Sequence, residues 1–226
     1  MKKFKRVLAL AMAVILSVPT IITTGMGTVP VKAAGDTVEL TVSSESAKYA
    51  GYETRKMYAG GNYAYCVQPS KKTPQSGTYE KHYDVENYVS NAGDETQAVQ
   101  SRNLAYYCWG APGFNASYFP STWYDGSAMD DDKYIALSHI MLSFLVSYDE
   151  VGSMHGCNSS FKNWVYQNVL GYNANGDLVN GQATLPILCW ATAPASFKVY
   201  ILSTGSATQN ILGYEYTPTG TVSLSK

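Results

Sequence analysis

Apolar positions along this chain recur with a period of two, then near four, then two again. Over residues 37–46, Val38, Leu40 and Val42 alternate with polar neighbours, the repeat of a strand with one buried face. Residues 49–59 and 63–67 read as two further strands separated by a turn at Gly60-Gly61-Asn62, and residues 71–84 as a polar loop. From Asp94 the period changes. Asp94 supplies a cap, Val99, Leu104, Ala105 and Cys108 fall at helical spacing, and Gly110 and Pro112 stop the helix, so the pattern predicts a helix over 94–109. A loop with several aromatic residues follows over 112–129. The strongest helical signal is 130–146, where three acids (Asp130, Asp131, Asp132) lie at the positive end and the body is apolar on nearly every face. A shorter helix is predicted over 161–170, ended by Gly171. Strands return at 197–202, 211–216 and 221–224. Strands, then helices, then strands define an α+β order.

The amino terminus changes the picture of where the chain works. Lys2, Lys3, Lys5 and Arg6 precede an apolar run from Val7 to Ile22, and Val31-Lys32-Ala33 presents small residues where a signal peptidase reads. Residues 1–33 are thus expected to be a secretory signal, with cleavage after Ala33 or Ala34 and no membrane span in the mature chain. Their removal leaves 11 Lys and Arg against 17 Asp and Glu, a net charge of −6. That surface carries no electrostatic footprint for nucleic acid. About 190 residues remain, enough for one domain with a real core. The 19 tyrosines, against 6 phenylalanines, suit either a recognition surface or an ordinary extracellular β-rich fold. Four cysteines, Cys66, Cys108, Cys157 and Cys189, permit disulfides in three alternative pairings, and their spacing fits no zinc pattern. The acids at 130–132 lack the glycine and distal glutamate of a calcium loop. No cofactor or metal is expected.

Three segments carry candidate chemistry: Tyr65-Cys66-Val67-Gln68-Pro69 in a strand, Arg102-Asn103-Leu104-Ala105-Tyr106-Tyr107-Cys108-Trp109-Gly110, and Ser138-His139-Ile140-Met141 in the apolar helix. In this order they resemble the thioester domains of Gram-positive cell-surface adhesins, in which an aromatic-Cys-apolar strand precedes a helix bearing Thr-Gln-x-Ala. The resemblance implies a β-sandwich-like part combined with a helical part in one module over 34–218. It also implies a Cys–Gln internal thioester that captures an amine on a host surface. The segment Gly220-Thr221-Val222-Ser223-Leu224-Ser225-Lys226 is similar to the first strand of the B-type repeats of collagen-binding adhesins and pilins. Residues 219–226 would then open a truncated repeat, Lys226 would be its isopeptide lysine, and the chain would continue into stalk domains. The implied setting is the cell wall, and the implied partner a host or neighbouring-cell surface protein or glycan.

Residue by residue, the match is incomplete. Cys66 occupies the nucleophile position, but His139 stands where the acyl-donor glutamine belongs, and imidazole has no carbonyl to acylate a thiol. Three readings stay open. His139 is a core histidine on the face shared with Ile135, Leu142 and Val146, and the module binds without covalent capture. Alternatively another glutamine serves, with Gln97 beside Thr96 the candidate and Gln68 too close to Cys66 for an unstrained ring. From a different class, Cys66 and His139 form the thiolate–imidazolium pair of a secreted cysteine hydrolase.

Overall fold

The computed structural model describes residues 36–173 and 177–218. The signal expected over 1–33, the strand expected over 221–224 and Lys226 lie outside them. Six strands, β1 (Thr37–Tyr49), β2 (Tyr52–Ala59), β3 (Asn62–Cys66), β4 (Gly77–His82), β5 (Phe197–Leu202) and β6 (Ile211–Tyr216), form a closed antiparallel barrel in the order β1-β2-β3-β6-β5-β4. The helices lie between β4 and β5 in sequence: α1 (Glu95–Tyr107), α2 (Asp131–Ser147), the single turn α3 (Glu150–Ser153), α4 (Ser159–Val165) and α5 (Thr184–Trp190). The class is α+β, as the element order implies, and the β part takes the form of a closed barrel.

Alternation along β3 sorts side chains into two apolar clusters. Ala64 and Cys66 point into the barrel with Leu40, Met57, Tyr200 and Ile211. Tyr63, Tyr65 and Val67 point the other way, into the larger core that the barrel shares with the helices. A strand buried on both faces explains why Tyr63 through Val67 are all inaccessible. Helix α2 is the centre of that larger core, with Ile135 through Val146 buried without interruption. Its start is set by Asp130, whose carboxylate accepts the Lys133 N–H at 3.0 Å.

Several boundaries differ from the sequence expectation. The first strand runs on to Tyr49 through a register shift between Val42 and Ser46, and the break comes at Ala50-Gly51. Both turn residues have positive φ (45° and 90°), the geometry of a two-residue hairpin turn between the paired Tyr49 and Tyr52. Within the expected loop 71–84 lies β4, a strand whose exposed and half-buried positions give no apolar alternation. The expected helix 161–170 is α4 followed by a π-helical turn, Tyr166–Leu170, capped by Gly171 at φ 78°. Helix α5 has no counterpart in the sequence expectation; its Pro186 sits in the first turn, where a missing N–H is harmless.

Candidate functional site

The site begins where two strands separate. β2 and β3 pair through Met57 and Ala64, but beyond that point β2 continues with β1 alone, Arg55 standing opposite Ser46. Cys66 pairs with Ile211 of β6 on its other side. Its backbone N–H, deprived of a strand partner, donates instead to Nδ1 of His139 at 3.2 Å. The same Nδ1 lies 3.0 Å from Cys66 Sγ. Sequence reasoning placed these two residues together across 73 positions, and the fold brings them into contact.

An Nδ1 that accepts leaves the proton of the neutral ring on Nε2, which faces the Tyr63 hydroxyl at 3.2 Å. The ring is boxed edge-on by Tyr63 and Tyr65. Burial pushes the His139 pKa down to about 4, and it pushes the Cys66 thiol up to about 12, opposed by the Thr54 hydroxyl. Both groups are therefore neutral at physiological pH. This ordering is the reverse of what a cysteine hydrolase requires, where the base holds the thiol ionised.

Surrounding segments hold the pair in register. Ser147, at the last turn of α2, donates to the Val67 carbonyl just after β3. Ser138, beside His139, accepts the Trp109 N–H at 3.0 Å. The Trp109 carbonyl accepts the Tyr65 hydroxyl at 2.9 Å, and the Gly110 carbonyl accepts the Tyr214 hydroxyl at 2.8 Å. Gly110 has φ 85°, and a Cβ there would come within 2.8 Å of the Tyr63 side chain, so glycine is needed for this close approach. The turn after α1 is thus a strap across β3, β6 and α2. The acids at the start of α2 are also engaged: Asp131 accepts the Trp109 indole N–H at 3.1 Å and Asp132 the Lys48 N–H at 3.2 Å.

Cys66 opens on its barrel side to a cavity of about 140 Å³ lined by Tyr52, Thr54, Met57, Pro69 and Gln209 among others. Thr54 Oγ1 lies 3.9 Å from Sγ. The third sequence candidate, Gln97, is elsewhere. Its amide donates to Ser90 Oγ at 3.0 Å and to the Leu145 carbonyl, and its oxygen accepts the Asn91 N–H at 3.4 Å. Leu145 is six residues beyond His139, roughly 9 Å along the helix. Gln97 therefore joins α1 to the far end of α2 and is not an acyl donor in reach of Cys66. All four cysteines stand as free, buried thiols.

A strand cysteine in contact with His139 of the central helix is the juxtaposition the sequence resemblance led us to expect, and the model of the thioester domain family matches residues 37–175. The chain belongs to the thioester domain family. Its members are generally adhesion modules of the cell surface, and the chain is a module of that type. No curated protein and no solved structure matches the chain. Among the described residues, no helix is long and apolar enough to cross a membrane.

In this thioester-domain chain the residues missed by sequence reasoning are Tyr63, Thr54 and Gln209. Tyr63 is hidden among 19 tyrosines. Gln209 lies in a polar segment before β6, where no pattern marks it.

Proposed function

We propose that this chain is the ligand-engaging module of a secreted, stalked adhesin of a Gram-positive cell wall, binding a protein or glycan on a host or neighbouring cell. In this reading residues 1–33 direct export, 34–218 form the module, and 219–226 begin the first stalk repeat, with Lys226 its isopeptide lysine. The observation that carries the reading is the 3.0 Å contact between Cys66 and His139 in a chain of this family. His139 offers no carbonyl, so capture through that helix position does not operate. A carboxamide reaching Cys66 from another part of the fold would restore covalent capture; otherwise attachment is by contact alone.

The neutral state of the pair argues against the hydrolase. Its imidazole gives Nε2 to a tyrosine hydroxyl, where a triad would have a carboxylate or amide orienter. The test uses the mature chain on beads, exposed to extracellular-matrix proteins and to a glycan array. Selective retention on a component of either class is expected, with no turnover of p-nitrophenyl acetate or casein. Hydrolysis that disappears in Cys66→Ala would overturn the adhesion reading.

A further inference from the structure

A larger cavity lies in the helical half of the molecule, where α4 runs into the π-helical turn. It holds about 590 Å³ and shares no lining residue with the cavity at Cys66. Its volume falls within the roughly 300–1,000 Å³ of small-molecule sites. Backbone builds its base. Gly171 closes the π-turn by donating its N–H to the Tyr166 carbonyl, and its own carbonyl accepts the N–H groups of Val179 at 2.8 Å and Asn180 at 3.0 Å. A Cβ on Gly171 would clash with the Asn180 carbonyl, so the two segments meet this closely only through glycine. The Asn180 side chain completes the joint, donating to the Gln167 carbonyl at 3.1 Å and accepting the Gln182 N–H at 3.0 Å. Turns of π-helix are rare and concentrate at functional sites, and this one runs along the cavity.

The lining is uniform in chemistry. Apart from Val179, every described side chain on the cavity is a carboxamide or a tyrosine, and none carries a charge. Asn163 and Gln167, four apart on one helical face, are exposed, as is Asn168. The Tyr166 ring beside them is half-buried, and its hydroxyl donates to Glu150 Oε1 at 2.9 Å, which fixes the ring in place. Glu150 is itself buried and does not line the cavity. Asp177, the nearest acid along the chain, is engaged by Asn173, whose Nδ2 donates to its carboxylate at 3.1 Å.

We propose that this cavity is a glycan-binding site that takes an uncharged sugar residue. A carboxamide offers one acceptor and two donors, which complements a pair of neighbouring hydroxyls that each donate and accept. A sugar ring also has an apolar face of C–H groups, and a held aromatic ring such as Tyr166 is a surface on which that face packs. Without a cation among the described lining residues, a sialic acid or a sulfated sugar would be desolvated with its charge unpaired. Without a carboxylate, a free amino sugar would meet the same cost. An extended peptide is read along a strand edge or in an apolar groove, whereas this cavity has one exposed apolar residue, Val179. The site is separate from the Cys66 centre, so it stands whether or not Cys66 takes part in attachment. For the adhesion module it supplies a reversible hold on a glycosylated surface.

The test is NMR titration of the isotope-labelled mature chain with glucose, galactose, mannose, N-acetylglucosamine and N-acetylgalactosamine. Sialic acid and a sulfated galactose are titrated in parallel. At least one uncharged sugar is expected to bind with a Kd on the order of 1 mM, shifting backbone amides of 163–168 and 171–173 together with the side-chain amides of Asn163 and Gln167. The two anionic sugars should leave those signals in place. Asn163→Ala and Gln167→Ala change exposed positions, so the fold is retained, and each should weaken binding about three- to tenfold. Trp190→Ala removes an exposed aromatic ring on α5, outside the cavity, and should bind as the wild type does. No uncharged sugar moving these amides, shifts centred elsewhere, binding of the anionic sugars alone, or wild-type affinity in both carboxamide variants would each overturn the assignment. Loss of the sugar shifts in the two variants with bead adhesion unchanged would place adhesion elsewhere and leave the sugar site standing.

Discussion

His139 ties sequence, burial and pH response together at a single residue. Its pKa falls from 6.5 to about 4 in the fold because burial penalises the charged ring. A base with a depressed folded pKa binds fewer protons folded than unfolded between those two values. Stability is therefore complete above about pH 6.5 and declines as pH falls towards 4. The drop of 2.5 units corresponds to about 3 kcal/mol, reached near pH 4. Urea unfolding at pH 7, 5 and 4 should show this loss in the wild type and a smaller one in His139→Gln; parallel losses in both would refute the buried-histidine account. The contact between Cys66 and His139 was legible in the sequence because motif order placed both residues. Gln209 was not, because its closeness to Cys66 depends on β6 pairing with β3 over a separation of more than 140 residues. Gln97 was misread for a related reason. Its neighbour Thr96 gave the right local pair, but the helix turns that amide to the Leu145 carbonyl.

Among the elements, those with an apolar period were legible and those made by geometry were not. α2 announced itself through an unbroken apolar body and an acidic start, and Asp130 does cap it. β4 was silent because its positions are half-buried or exposed, and α5 because seven residues with a proline fall below the length at which a helical period shows. The Ala50-Gly51 turn lacks the Asn-Gly signature that marks such hairpins. β6 holds a further device of this kind. Gly213 pairs with Tyr200 of β5, and a Cβ on it would lie 2.5 Å from the Tyr200 ring. That ring is fully buried. Gly213→Ala should therefore cost about 1–3 kcal/mol by overpacking, read as a lower urea midpoint at unchanged m-value. In a double-mutant cycle with Tyr200→Leu most of that cost should vanish, and additive losses would show that the ring is not the cause.

At the scale of the whole molecule the barrel has two chemically different ends. Cys66 and Gln209 lie at the start of β6, and Glu215 lies four residues beyond Ile211, roughly 13 Å along the strand. There Lys81 bridges Glu215 at 2.5 Å and Asp36 at 3.1 Å, and the Tyr83 hydroxyl donates to the same two carboxylates. Both acid partners hold Lys81 protonated. The cluster joins the start of β1, the end of β4 and the end of β6, so it fastens the strand that closes the barrel. β4 needs the fastening, since it shares four pairs with β1 and two with β5. Closure was not legible in the sequence, because alternation reveals strands without their order. The two carboxylates are nearly half exposed, which limits the stabilisation, so Lys81→Met should cost about 1 kcal/mol. Its signature should be local: faster hydrogen exchange at β4 amides, and a cost that shrinks in high salt. Alkylation of Cys66 in the unfolded and folded protein should keep the wild-type ratio, because the thiol is held by α2 and β6 and not by the seam. A variant whose Cys66 becomes freely reactive would show instead that the two ends open as one unit.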